Sequence, residues 1–195
     1  MPALSESPSA VGQVSADGQF RWDGMQWVPI PRGTREPTPW TRPMQLAAAG
    51  LLAGEAVLYL AATILFVTHD SVKQALAAQG TQIPPNMSED TYLSFIIGTT
   101  IAFVAFFSAI ELFGAIGAYL RWRWVFWYVL VLMALGGLNA IFNAVSLARP
   151  SATNLPVGVL VLQELLCLGA LAVFIWMLIG AVRFGPWAMK RPGPG

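Results

Sequence analysis

Four apolar runs, residues 44–68, 92–120, 122–148 and 156–184, constrain this chain more than any other feature. Each is longer than the about 20 residues a helix needs to cross about 30 Å of hydrocarbon. Lipid offers the backbone no hydrogen-bond partners, so such runs must be helices that satisfy their own N–H and C=O groups. Only 11% of the residues are charged, against about a quarter in soluble domains. The expected fold class is therefore an all-α membrane protein: a four-transmembrane-helix bundle spanning residues 44–184, with a lipid bilayer around it.

Residues 1–43 are too long and polar for a signal-peptide leader, and the first run is too long for its apolar region, so that run reads as an uncleaved anchor. Orientation follows from the basic residues. Arg21, Arg32, Arg35, Arg42, Arg121, Arg123, Arg183, Lys190 and Arg191 share one side, leaving Lys73 and Arg149 on the other. That asymmetry places both termini in the cytoplasm. Trp40, Tyr119, Trp122, Trp124, Trp127 and Trp187 collect at the same basic edge, as aromatic rings do at a membrane interface. A net charge of +1 implies no nucleic-acid partner. The single cysteine, Cys167, excludes an intrachain disulfide.

The segments around the runs are also legible. Residues 1–16 are small and polar without a period, and are expected to be disordered. Residues 17–31, DGQFRWDGMQWVPIP, carry Asp23-Gly24, a strong signal for a two-residue hairpin turn. With that turn, Trp22 pairs with Met25 and Phe20 with Trp27. All four side chains then form one interaction face of a short cytosolic β-hairpin. Such a hairpin is marginal alone, so its face needs a cover: lipid, the bundle or another protein. Residues 32–43 read as a stiff Pro/Arg linker and 185–195 as a basic cytosolic tail. Between the first two runs, SVKQALAAQG suggests a short amphipathic helix with Val72, Ala75 and Leu76 on one face and Gly80 as its stop.

The stretch FRWDGMQWVP resembles a short tryptophan-rich "YWDGxxW" module, a domain of unknown function at the N-termini of many bacterial, especially actinobacterial, membrane proteins. The module's upstream portion has no counterpart here, VGQVSADG standing in its place. The RP before the first run, the YLRWRW turn and the GPWAMKRP tail are similar in style to uncharacterised four-helix bacterial membrane proteins. The resemblance implies a bacterial inner membrane and no particular activity.

Polar residues inside the runs carry the functional question. Glu55, Glu111 and Glu164 each interrupt an apolar run, without a basic residue at their depth. Glu55 stands about ten residues in, roughly 15 Å at 1.5 Å per residue. Helical spacing groups Glu55 with Tyr59 and Thr63, Ser108 with Glu111 and Thr100, Asn139 with Asn143 and Ser146, and Glu164 with Cys167 and Gln163. Turned inward, these fronts form a bundle interior in which the carboxyls are expected to be uncharged and hydrogen-bonded to asparagine or serine. Small residues offer close helix approach: Gly50 and Gly54, Gly114, and Gly136 with Ala140.

Intramembrane carboxyls suggest ion handling by default. Hydrogen bonds between membrane helices also serve as ordinary glue, worth about 0.6 kcal/mol on average. No H-E-x-x-H, G-x-S-x-G or P-loop occurs, and His69 beside Asp70 reads as a solvated loop end, so no catalytic residue, metal or cofactor is expected. The favoured role is a non-enzymatic scaffold, assembly factor or accessory subunit that binds another membrane protein or itself. The competing role is a small oligomeric proton- or cation-linked transporter or channel that uses the glutamates.

Overall fold

A computed structural model of the chain describes residues 11–31, 35–78, 80–148 and 155–192. Residues 1–10 of the expected disordered tail, Arg32 of the linker and Arg149 lie outside the described residues. Strands β1 (Phe20–Trp22), β2 (Trp27–Pro29) and β3 (Glu36–Pro37) precede helices α1 (Thr41–Phe66), α2 (His69–Ala78), α3 (Glu89–Tyr119), α4 (Val125–Ala148) and α5 (Val157–Arg183). A 3-10 turn, Pro186–Ala188, and strand β4 (Met189–Lys190) follow. Four of the helices, α1, α3, α4 and α5, are long and apolar enough to cross a membrane. They lie within a few residues of the four expected runs.

Local chemistry sets the helix ends. Ser88 caps α3 by accepting a hydrogen bond from Thr91 N at 3.2 Å, with Glu89 and Asp90 at the positive end of the helix. At its other end Trp122 N donates to Gly117 O at 2.9 Å around Arg121, which takes a left-handed φ of 65°. The turn into α4 is tight because a non-glycine residue accepts that conformation. The expected outer helix is α2, and Gly80 follows it at φ +66°. Lys73 pairs with Glu89 at 2.5 Å, which ties α2 to the start of α3 and raises the ammonium above its usual range.

The helices run up and down, so both chain ends meet at one end of the bundle, the terminal end; α2 marks the other. Helix α1 packs mainly along α3 and α4 along α5, with α1 also touching α5. The continuous core occupies the terminal half of each long helix, built from Met44, Leu52, Phe126, Met133, Met177 and their neighbours. Apolar side chains such as Phe103, Phe106, Ile141, Phe142 and Val182 are exposed around the outside.

The hairpin departs from the expected register. Trp22 pairs with Trp27, Arg21 with Val28 and Phe20 with Pro29. The Asp23 carboxylate is the reason: it accepts from Met25 N and Gln26 N, both at 2.7 Å, and so closes a longer loop around itself. The slide preserves side-chain parity, so Phe20, Trp22 and Trp27 still share a face. Trp22 and Trp27 meet edge-on at 5.6 Å. Met25 leaves that face for the loop tip and is 91% exposed.

The flanking segments are also more ordered than expected. Residues 12–15 lie along the free edge of β1, where Gly12 N donates to Trp22 O and Trp22 N to Gln13 O, both at 2.8 Å. The linker is not a free spacer, because β3 pairs with β4 of the tail. Arg21 of β1 forms an ion pair with Glu36 of β3, which fastens the hairpin to that sheet. Trp187, expected at the membrane interface, is instead fully buried at the terminal end of the bundle.

Candidate functional site

Glu55 reaches the centre of the bundle because α4 presents a glycine to it. A Cβ on Gly136 would lie 3.4 Å from Glu55 Oε1 and 3.2 Å from the Ala170 Cβ of α5. The empty position admits the carboxyl, which is 4% exposed. On its far side a cavity of about 220 Å³ is lined by Glu55, Tyr59, Phe107, Glu111, Gly136 and Asn139. The Glu55 and Glu111 carboxyls face each other closely enough to interact electrostatically.

The expected hydrogen bonds to these glutamates do not form. Glu55 Oε1, Glu111 Oε2 and Glu164 Oε2 are all buried without a partner among the described residues. Ser108 donates to the backbone oxygen of Ala56 at 3.2 Å, and Asn143 Nδ2 donates to Cys167 Sγ at 3.2 Å. Backbone carbonyls and sulfur have taken the donors that the sequence assigned to the carboxyls. A buried polar oxygen without a partner costs about 1–3 kcal/mol, so these atoms call for an explanation.

Tyr59 connects this cavity to a second one. Its hydroxyl interacts with Asn143 and Cys167, and Cys167 lies in the field of both Glu55 and Glu164. Tyr59 also lines a vestibule of about 460 Å³ at the α2 end, whose walls include Thr63, Val72, Leu76, Ile96 and Gln163. The apolar face expected of α2 therefore forms one wall of this vestibule. A polar string runs from Glu111 through Glu55 to the Tyr59–Asn143–Cys167 group, with Glu164 at its edge. Glu164 does not line the Glu55–Glu111 cavity.

The small residues divide by role. Gly114 sits against Tyr128, Leu132 and Leu52, and Ala140 is buried. Gly54 makes only ordinary contact with Leu166, and Gly50 has nothing within 4 Å of a would-be Cβ, so the Gly50–Gly54 pair is no seam of this bundle. Gly137 comes closest to the backbone of another long helix: a Cβ there would stand 3.1 Å from the Leu171 Cα.

Comparison with family models, curated proteins and solved structures found no match to this chain. Its site is therefore described by its own geometry alone. One contributor, Tyr128, is not among the polar residues that the sequence singles out. It donates its hydroxyl to Ile110 O at 2.6 Å and fixes α4 against α3 beside Glu111. Its signal was a polar group within an apolar helix, the same signal that singled out Glu55. His69 comes within 3.7 Å of Asp90, but among the described residues no three His, Cys, Asp or Glu side chains gather as a metal-binding group.

Proposed function

We propose that this chain is a small membrane-embedded proton-linked transporter or channel in which the Glu55–Glu111 pair takes up a proton from the α2 side. The observation that carries this reading is the pair of facing carboxyls, each with an unpartnered oxygen, in a cavity that shares Tyr59 with the vestibule. Helix glue would require those carboxyls to bond across helices. The bonds that join the helices run through Ser108, Tyr128 and Asn143 instead. A proton is favoured over a metal cation because among the described residues no three His, Cys, Asp or Glu side chains gather to hold one. At the terminal end the bundle is filled by an apolar core that includes buried Trp187, which favours entry from the α2 side. The setting is a bacterial cytoplasmic membrane with both termini inside, supported by the basic and aromatic residues at that end.

Reconstitution into liposomes loaded with a pH-sensitive dye tests this. Under an imposed potential the wild-type chain carries protons. Glu55→Gln and Glu111→Gln lower the flux by about 10²-fold or more, the scale of removing a proton-transferring group, with melting unchanged. Equal flux in both variants, or none in the wild type, would return the glutamates to a packing role.

A second reading, an accessory subunit that binds another membrane protein or a second copy of itself, is favoured by the hairpin. The Arg21–Glu36 pair fastens it to the terminal sheet while Met25 stands exposed at its tip. Deletion of residues 17–31 followed by crosslinking to the neighbouring subunit tests it; unchanged crosslinks remove the hairpin's role.

A further inference from the structure

The terminal end carries a separate cavity, of about 680 Å³, within the about 300–1,000 Å³ usual for ligand sites. Its wall is assembled from five separate stretches of chain. Arg35 comes from the linker, Arg123 from the α3–α4 turn and Arg191 from the segment after β4. Asp17 and Phe20 come from the hairpin segment, and Ile30 follows β2. The pairing of β3 with β4 and the Arg21–Glu36 ion pair bring these stretches together.

The charge balance of the wall is one-sided. Three arginines and a single carboxylate, Asp17, line it. That carboxylate is engaged by Ser15 Oγ at 2.6 Å and Gln19 N at 3.1 Å. Among the described residues no carboxylate pairs with Arg35 or Arg191. Arg35 uses Nη1 on the backbone oxygens of Phe184 and Met189, at 3.3 and 3.0 Å. Among the described residues its other guanidinium N–H groups make no hydrogen bond. Guanidinium groups converging on one space match the oxygens of a phosphate, which they bind through short, charge-assisted bonds.

The rest of the wall and its position indicate which phosphate. Phe20, Ile30 and three prolines give the cavity an apolar side beside the arginines. Arg123 is flanked by Trp122 and Trp124, whose rings stack at 5.8 Å; Trp124 is 62% exposed. Exposed tryptophans at the end of an apolar helix mark headgroup depth. Basic pockets at that depth hold anionic lipid headgroups. We propose that this cavity binds the phosphate of an anionic phospholipid through Arg35, Arg123 and Arg191, with the glycerol and upper acyl carbons against Phe20 and Ile30. This site is separate from the glutamate cavity and does not depend on proton movement there.

Native mass spectrometry of the full chain in detergent tests the assignment, with phosphatidylglycerol, phosphatidylcholine and inorganic phosphate as probes. Arg123→Gln/Arg191→Gln removes two donors and spares Arg35, which also anchors the tail. Arg121→Gln/Arg183→Gln removes the same charge at the same end without touching the cavity wall. The expected result is one retained phosphatidylglycerol, preferred over phosphatidylcholine, weakened at least about tenfold in the first variant and kept in the second. If inorganic phosphate binds alone and displaces the lipid, the phosphate site stands and its source is the free ion. Equal retention of both lipids without phosphate binding would overturn the proposal. So would equal loss in the two double variants, or no loss in the first while both melt as the wild type does.

Discussion

The indole N–H of Trp187 donates to the carbonyl oxygen of Trp122 at 3.1 Å, joining the segment after α5 to the turn between α3 and α4. Trp187 also meets Phe126 edge-on at 5.2 Å. Around it, Ala188 O accepts from the hydroxyls of Thr38 at 2.7 Å and Thr41 at 3.1 Å. The tail thus binds the start of α1 and the start of α4 at once. Trp187 and Ala188 take left-handed φ values of 58° and 51°, at a cost of roughly 1–2 kcal/mol each. Burial of the largest side chain in the core offsets that strain.

Removing this ring should therefore loosen the whole terminal end. Trp187→Ala is expected to destabilise the bundle by about 3–5 kcal/mol, as other large-to-small core changes do. Trp187→Phe keeps part of the packing but leaves the Trp122 carbonyl unpaired, at about 1–3 kcal/mol. Thermal unfolding in detergent measures both. A tail that can be removed without loss would contradict the packing described.

Glycine positions separate real contacts from apparent ones. Gly137→Ala pushes a methyl group toward the Leu171 backbone, and should cost about 1–3 kcal/mol. Gly50→Ala meets open space and should be neutral, or stabilising by up to about 1 kcal/mol. Should Gly50→Ala instead prove as damaging as Gly137→Ala, the exposed Gly50 face is a contact between copies of the chain.

Tyr59 stands between the vestibule and the glutamates, so its hydroxyl should matter to transfer more than to folding. Tyr59→Phe is expected to lower proton flux by about 10²-fold. Its melting should stay within about 1 kcal/mol of wild type, the scale of one hydrogen bond. Thr63, one turn along, already donates its hydroxyl to the Tyr59 backbone oxygen at 2.8 Å, so Thr63→Val should leave flux intact. Parallel flux assays on the two variants decide the matter.

The hairpin loop should respond to acid. Backbone N–H groups of Gln26 and then Met25 hold the Asp23 carboxyl below its ordinary 3.8. A lowered folded-state value means that the loop is supported at and above pH about 4 and loses that support as pH falls through the folded value. Protection of the Met25 and Gln26 amides, measured against their intrinsic exchange rates, should fall on acidification below that range. Asp23→Ala should lack this protection at every pH.

Much of the architecture was readable along the chain. The length and apolarity of the runs required four long helices, and the positions of Glu55, Glu111 and Asn139 within them set their places along the helix axes. The apolar face of α2 followed from Val72, Ala75 and Leu76. These are local quantities: a run length, a period and a distance along a helix axis. Rotation about that axis is not local. The polar fronts marked which faces turn inward but not which of their groups would meet, so the pairing of Glu55 with Glu111 beside Gly136 was decided by packing. The same holds for the partners of Ser108 and Asn143, which went to a backbone oxygen and a thiol. Trp187 carries the sequence marks of an interface residue, yet the pairing of β3 with β4 draws it under the bundle. The hairpin register turned on one carboxylate folding back on its own loop. The sequence by itself settled the four long apolar helices because hydrophobicity acts residue by residue. Tertiary structure decided which polar groups meet and which stay unpaired, because that depends on the shapes of surfaces far apart in the chain.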